Sequence, residues 1–97
     1  MKITTIKQYS NTYFVSFGYN GAQFGNSEEQ ITKDIIRTSE NEAHDCFVED
    51  TNKYRSIPTP QFDDCTFEIG KIDYTDMGNN YRLYHVKIRI IWNYIKE

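Results

Sequence analysis

The C-terminal segment, residues 81–95, alternates large apolar side chains with mostly polar ones for about a dozen residues. The apolar set is Tyr84, Val86, Ile88, Ile90, Trp92 and Tyr94. The polar set is His85, Lys87, Arg89 and Asn93. A period of two is typical of a β-strand with one buried and one solvated face. The chain is therefore constrained to form a sheet, and the inner face of its last strand is aromatic.

A chain of 97 residues has the size of one domain, so residues 1–97 are predicted to form a single α+β domain. Aliphatic residues are few, but the chain has eight Tyr, six Phe and one Trp. Because each of these rings buries a large area, we expect an aromatic core.

The N-terminal part predicts a hairpin of two strands, residues 3–9 and 12–19, joined at Ser10 and Asn11. In the second strand alternate aromatic residues share one face. Phe14 falls on the opposite face, which leaves another part of the molecule to cover it.

A helix is predicted after Ser27, which stands three residues before Gln30 in the spacing of a capping box. The stripe Ile31, Ile35 and Ile36 gives this helix an apolar side. The capping-box spacing recurs at residues 39–42, so residues 28–48 fit either one helix or two.

Two further strands complete the prediction. The third begins at Phe62 or Cys65 and runs to Tyr74, with a bulge near Gly70, and residues 76–80 turn the chain into the fourth strand. The predicted fold class is α+β: a small antiparallel sheet of two hairpins, in the order β-β-α-β-β, with one or two helices packed on one face.

The charges are segregated along a chain whose net charge is −3. Residues 26–50 carry eight acids against two cations, while residues 81–97 carry four cations against one acid. The eight acids are Glu28, Glu29, Asp34, Glu40, Glu42, Asp45, Glu49 and Asp50. Two interpretations are open: these are ordinary solvated faces of a helix and a sheet, or the acidic face binds a basic partner.

The N-terminus begins as an alternating strand, and no apolar run approaches the length of a membrane span. A cytoplasmic protein with Cys46 and Cys65 reduced is expected. Richness in Asn, Ile, Lys and Tyr is compatible with a low-GC bacterium or one of its phages, in which case the location is the host cell cytoplasm.

No cofactor or metal site is predicted. The possible zinc ligands His44, Cys46, Cys65 and His85 lack the two tight pairs of a structural zinc site. A metal-dependent nuclease is one alternative, because acids and a lysine near a strand can hold Mg²⁺ and activate water. Its candidate residues are Asp63, Asp64, Glu68 and Lys71, and their spacing fits this role only if a bulge at Gly70 brings Glu68 and Lys71 to one face.

A second alternative is binding of single-stranded nucleic acid by the basic face of the C-terminal strand, through Lys71, Arg82, Lys87 and Arg89. The rings of that strand lie mainly on its opposite face, which weakens this alternative.

The main hypothesis is a non-enzymatic protein-binding module that offers the eight acids to a basic host protein, most simply one that handles nucleic acid. In size, acidity and composition, though in no motif, the chain is similar to anti-CRISPR and other DNA-mimic proteins. A phage or mobile-element inhibitor of a defence protein is therefore expected. A homodimer through the edge of the C-terminal strand is a further expectation.

Overall fold

The computed structural model describes residues 5–53 and 58–96, in which three antiparallel strands carry one long helix on one face. The elements are β1 (Thr5–Tyr19), a 3₁₀ turn (Gly21–Phe24), α1 (Glu28–Asn52), a second 3₁₀ turn (Phe62–Asp64), β2 (Cys65–Asp76) and β3 (Arg82–Lys96). The class is α+β as predicted, but the order is β-α-β-β.

The C-terminal strand lies at the centre of the sheet, whose order is β1-β3-β2. β3 pairs with β1 from Tyr19↔Arg82 to Thr5↔Lys96, and with β2 from Asp76↔Arg82 to Cys65↔Trp92. Both edges of β3 are therefore occupied between residues 82 and 92. A homodimer through this strand stays a prediction. On the β2 side the register leaves residues 93–96 of β3 without a strand partner, so such pairing would be confined to them.

The predicted N-terminal hairpin is wrong. Ser10 and Asn11 continue the strand and pair with Ile91 and Ile90 of β3. The backbone stays extended here because β3 is as long as β1 and pairs with it throughout. The Asn11 side chain forms hydrogen bonds with Tyr13 and Asp50 in this extended conformation. Residues 3 and 4 of the predicted first strand lie outside the described residues.

A single helix runs through the region that fitted one helix or two. Its N-cap is Ser27, whose Oγ accepts a 3.2 Å hydrogen bond from the Gln30 backbone N–H, as the sequence predicted. Ser39 is not a second cap, because it is fully buried and its Oγ donates to the Ile35 carbonyl at 2.7 Å. The buried stripe repeats every four residues: Ile31, Ile35, Ser39, Ala43, Phe47 and Thr51.

The predicted inner face of the last strand is confirmed. Tyr84 and Trp92 are each 4% exposed and, with the residues between them on that face, pack beneath the helix. Phe47 is the centre of this aromatic core, since its ring contacts those of Tyr9, Tyr13 and Trp92.

The second hairpin is also confirmed. The register of β2 shifts at Gly70, where the bulge was predicted. The turn before β3 has positive φ at three successive residues, Gly78, Asn79 and Asn80. Between α1, which ends at Asn52, and the second 3₁₀ turn, residues 54–57 lie outside the described residues.

Candidate interaction surfaces

Three of the eight predicted interface acids form hydrogen bonds that tie α1 to the sheet. Glu28 binds the Arg82 guanidinium through two hydrogen bonds of 2.9 and 3.2 Å. Asp34 accepts a 2.6 Å hydrogen bond from the Tyr19 hydroxyl, and Asp50 accepts one of 2.5 Å from Tyr13. These carboxylates are therefore partly neutralised within the molecule, and their role in an interface stays a prediction.

The Glu28–Arg82 pair also explains the loss of one predicted nucleic-acid contact. Arg82 lies on the helix side of the sheet, where its side chain is 16% exposed. Its guanidinium stands 4.5 Å from the centre of the Tyr74 ring and donates a 3.0 Å hydrogen bond to the Tyr84 hydroxyl. The hydrogen bonds from Arg82 lower the pKa of Glu28. Arg82 is therefore engaged within the molecule.

The tyrosine–carboxylate bonds shift the pKa values of their members. The hydrogen bond from Tyr13 lowers the pKa of Asp50, and burial, followed by the bond to Asp34, raises the pKa of Tyr19. The sequence held one signal for these contacts. Tyr13 and Tyr19 are half-buried on the face of β1 that packs against the helix, and a hydroxyl in that position needs an acceptor on the neighbouring element.

The remaining predicted acids differ in availability. Glu29 forms an exposed ion pair with Lys33 at 3.6 Å, and Glu40 is half-buried, which raises its pKa by desolvation. The other three, Glu42, Asp45 and Glu49, are exposed and have no hydrogen-bond or ion-pair partner within the described ranges. Their spacing of three and four residues puts them on one side of α1, and we call them the acidic stripe.

The acidic stripe affects the pKa of the neighbouring Cys46 thiol. The Cys46 residue is exposed, and it follows Asp45 directly. The pKa of its thiol is raised, mainly by partial desolvation and to a smaller extent by the negative charges of Glu49, Asp50, Asp45 and Glu42. The carboxylates therefore act together on a single point of the surface.

The face of the sheet opposite the helix, which we call the open face, carries mostly exposed side chains. Phe14 lies there with 79% of its surface exposed, so the cover that the sequence left open for it is absent from the described part of the chain. Beside Phe14 is a shallow depression of about 280 Å³. Its walls include Ser16, Lys71, Asp73, His85 and Lys87.

Three of the four predicted nucleic-acid contacts meet on the open face. Lys71 stands opposite Lys87 in the strand register, and Arg89 follows on β3. Two of these cations are neutralised locally, Lys71 by Asp73 at 3.3 Å and Arg89 by Glu68 at 3.5 Å. Lys87 has no ion-pair partner among residues 5–53 and 58–96.

The residues of the predicted nuclease site do not converge. The bulge at Gly70 does bring Glu68 and Lys71 to the open face, but each is engaged in the ion pairs just described. Asp63 and Asp64 lie before β2 in the second 3₁₀ turn. Among the described residues no three His, Cys, Asp or Glu side chains are placed to hold a metal ion.

One row of the open face has the residue types of a hydrolase triad. Ser16 and Asp73 flank His85 in the register, and Ser16 Oγ lies 3.0 Å from His85 Nδ1. In a catalytic triad the serine bonds Nε2 and the carboxylate bonds Nδ1. Here the serine occupies Nδ1 and the Asp73 carboxylate pairs with Lys71, so the row lacks the geometry for nucleophile activation.

Comparison with known proteins gives no family for this chain: no family model matches it, and no similar curated protein or solved structure was found. In the described part, the one α-helix is too polar to cross a membrane.

Proposed function

We propose that this protein is a small binding module whose acidic stripe docks on the basic groove of a protein that handles nucleic acid. The observation that carries the proposal is the difference between the acids of α1. Glu28, Asp34 and Asp50 are engaged by the sheet, whereas Glu42, Asp45 and Glu49 project from the opposite side without a described partner. Unneutralised charge at regular spacing is what a cationic groove attracts.

The spacing of the stripe suits a groove that normally holds a phosphate backbone. At a rise of about 1.5 Å per residue, three carboxylates extend over roughly 10 Å of helix, at intervals of about 4.5 and 6 Å. Phosphates of one DNA strand are spaced by about 3.4 Å along the duplex axis. The stripe therefore presents a comparable line of negative charge on a rigid support and competes with nucleic acid for the same cations.

The biological setting of the proposal is a phage or mobile element. Small size, acidity and an Asn-, Ile-, Lys- and Tyr-rich composition favour an inhibitor of a host defence protein that acts in the host cytoplasm, in the manner of anti-CRISPR DNA mimics. The five acids that are not bonded to the sheet, Glu29, Glu40, Glu42, Asp45 and Glu49, define the part of the predicted interface that the proposal retains.

Affinity capture from a bacterial lysate tests the proposal. The bait is the wild-type chain, a variant with Glu42→Gln and Glu49→Gln, or a matched control with Asp63→Asn and Asp64→Asn. Both variants lose two exposed charges, but only the first loses them from the stripe. A basic nucleic-acid-handling protein should be captured by wild type and control, lost with the stripe variant and released by salt. Equal capture by all three baits would contradict the proposal.

A second candidate function is binding of single-stranded nucleic acid on the open face. It is favoured by Lys87, which has no described ion-pair partner and stands opposite Lys71 on the open face, where an anionic backbone would find positive charge. Changing both lysines to Ala should abolish a band shift at low salt. Changing Lys7 and Lys33, which lie off this face, to Ala should preserve it. No shift for the wild-type chain would dispose of this candidate.

A further inference from the structure

β1 has a long outer edge that the described structure leaves without a strand partner. The sheet order places β3 on its inner side only, and the pairing of all fifteen residues with β3 is free of irregularities. Exposed edges are normally protected against pairing by charges, proline or bulges. β1 contains one charged residue, Lys7, and no proline.

The other edge of the same sheet is protected in the usual way. β2 contains the bulge at Gly70 and the charged residues Glu68, Lys71, Asp73 and Asp76. The two edges therefore differ, although they flank the same central strand. An unprotected edge of this length is explained if another strand covers it.

The exposed apolar residues of β1 indicate which strand that is. Ile6 is 73% exposed and Phe14 is 79% exposed, and both lie on the open face. They stand four residues to either side of Ser10. If two β1 strands pair antiparallel about a two-fold axis at Ser10, Ile6 of each copy lies opposite Phe14 of the other. The two apolar side chains are thus complementary to a second copy of the same edge.

We propose that two copies of this chain pair through β1, with Ser10 on the two-fold axis, to form a continuous six-stranded sheet. Ile95, which is 60% exposed, stands beside Ile6 in the register and extends the apolar patch that Phe14 of the second copy would meet. The same alignment sets Lys7 against Tyr13 of the second copy, which avoids two like charges in contact. Both helices lie on one face of the sheet, so both acidic stripes remain outside the pairing edge.

Sedimentation equilibrium of the full-length chain tests the dimer. Wild type should show twice the chain mass of 11.5 kDa, and Phe14→Glu should show the chain mass alone. Phe24→Glu is the matched control, since Phe24 is 74% exposed but lies on the first 3₁₀ turn, and it should remain dimeric. A wild-type monomer at the highest soluble concentration, or a Phe24→Glu variant that dissociates equally, would overturn the proposal.

A disulfide tests the register. In a background with Cys46→Ser and Cys65→Ser, Ser10→Cys places two thiols across the axis, where opposed Cα atoms are about 4.5–5.5 Å apart and within disulfide range. Mild oxidation should give a covalent dimer. Thr12→Cys is the control, because its two copies are offset by four residues, roughly 13 Å along the strand, and should remain uncrosslinked. Failure of Ser10→Cys to crosslink, or equal crosslinking of both variants, would overturn pairing about Ser10.

Discussion

The Tyr13 hydroxyl donates a 2.5 Å hydrogen bond to the Asp50 carboxylate and so joins the middle of β1 to the last turn of α1. Asn11 Nδ2 donates to the same carboxylate oxygen at 3.2 Å. Near the other end of the helix the Tyr19 hydroxyl binds Asp34 in the same way, at 2.6 Å. Two tyrosine–carboxylate bonds therefore fix the helix over one flank of the sheet.

Asp50→Asn should lower the free energy of unfolding by about 1–2 kcal/mol at neutral pH, because a charged acceptor of hydrogen bonds from Tyr13, Asn11 and Lys53 is lost. Since the pKa of Asp50 is lowered in the folded state, its contribution is present above the unfolded pKa and disappears as the pH falls through the folded value. Urea unfolding at pH 7 and in strong acid measures this, and the difference from wild type should shrink in acid.

The matched control for this carboxylate is Asp45→Asn. Asp45 lies on the same helix and is exposed without a described partner, so its replacement should change the free energy of unfolding by no more than about 0.5 kcal/mol. Equal effects of the two substitutions at neutral pH would mean that the Tyr13–Asp50 bond adds nothing beyond general charge.

Phe47→Ala should be the most damaging single truncation in the core. Phe47 is 0% exposed and contacts the rings of Tyr9, Tyr13 and Trp92, so its removal leaves a cavity between helix and sheet. We expect a loss of about 3–5 kcal/mol in the free energy of unfolding, measured by chemical denaturation. Phe24→Ala, at a side chain 74% exposed, should cost less than about 0.5 kcal/mol.

Gly78→Ala should destabilise the chain through the backbone alone. Gly78 has φ of +87°, and an added Cβ would have no atom within 4 Å. The cost of about 1 kcal/mol therefore reflects the left-handed conformation, not a clash. Gly70→Ala is the comparison, because that glycine has no positive φ and its Cβ would meet the Lys87 carbonyl oxygen at an ordinary 3.4 Å. Thermal unfolding should show the larger decrease in Tm for Gly78→Ala.

The sequence predicted the elements that follow simple periodic patterns. The alternation in β3 identified its buried face correctly, because one face of this strand packs against the helix and the other is mostly exposed. The N-cap at Ser27 and the bulge at Gly70 depend on local chemistry, and both were predicted. Strand order depends on long-range pairing, so the central position of β3 was missed.

The errors have a common physical cause, which is tertiary contact overriding local preference. Ser10 and Asn11 favour a turn in isolation, but fifteen residues of pairing with β3 hold them extended. Asp34 and Asp50 resemble solvated helix acids in the sequence, yet tyrosines on β1 engage them. Phe14 departed from the alternation, and only the sheet order revealed that it lies beside an unprotected edge.

Alkylation of Cys46 should report the electric field of the acidic stripe. Burial and the surrounding carboxylates raise the pKa of this exposed thiol, so in a Cys65→Ser background iodoacetamide should react more slowly than with an unstructured peptide at the same pH. Glu49→Gln should accelerate the reaction by a factor of roughly two to five, and added salt should have a similar effect on wild type. Asp76→Asn, at the far end of β2, should leave the rate unchanged. A rate that responds to neither Glu49→Gln nor salt would mean that the stripe carries no concentrated charge for a basic groove to recognise.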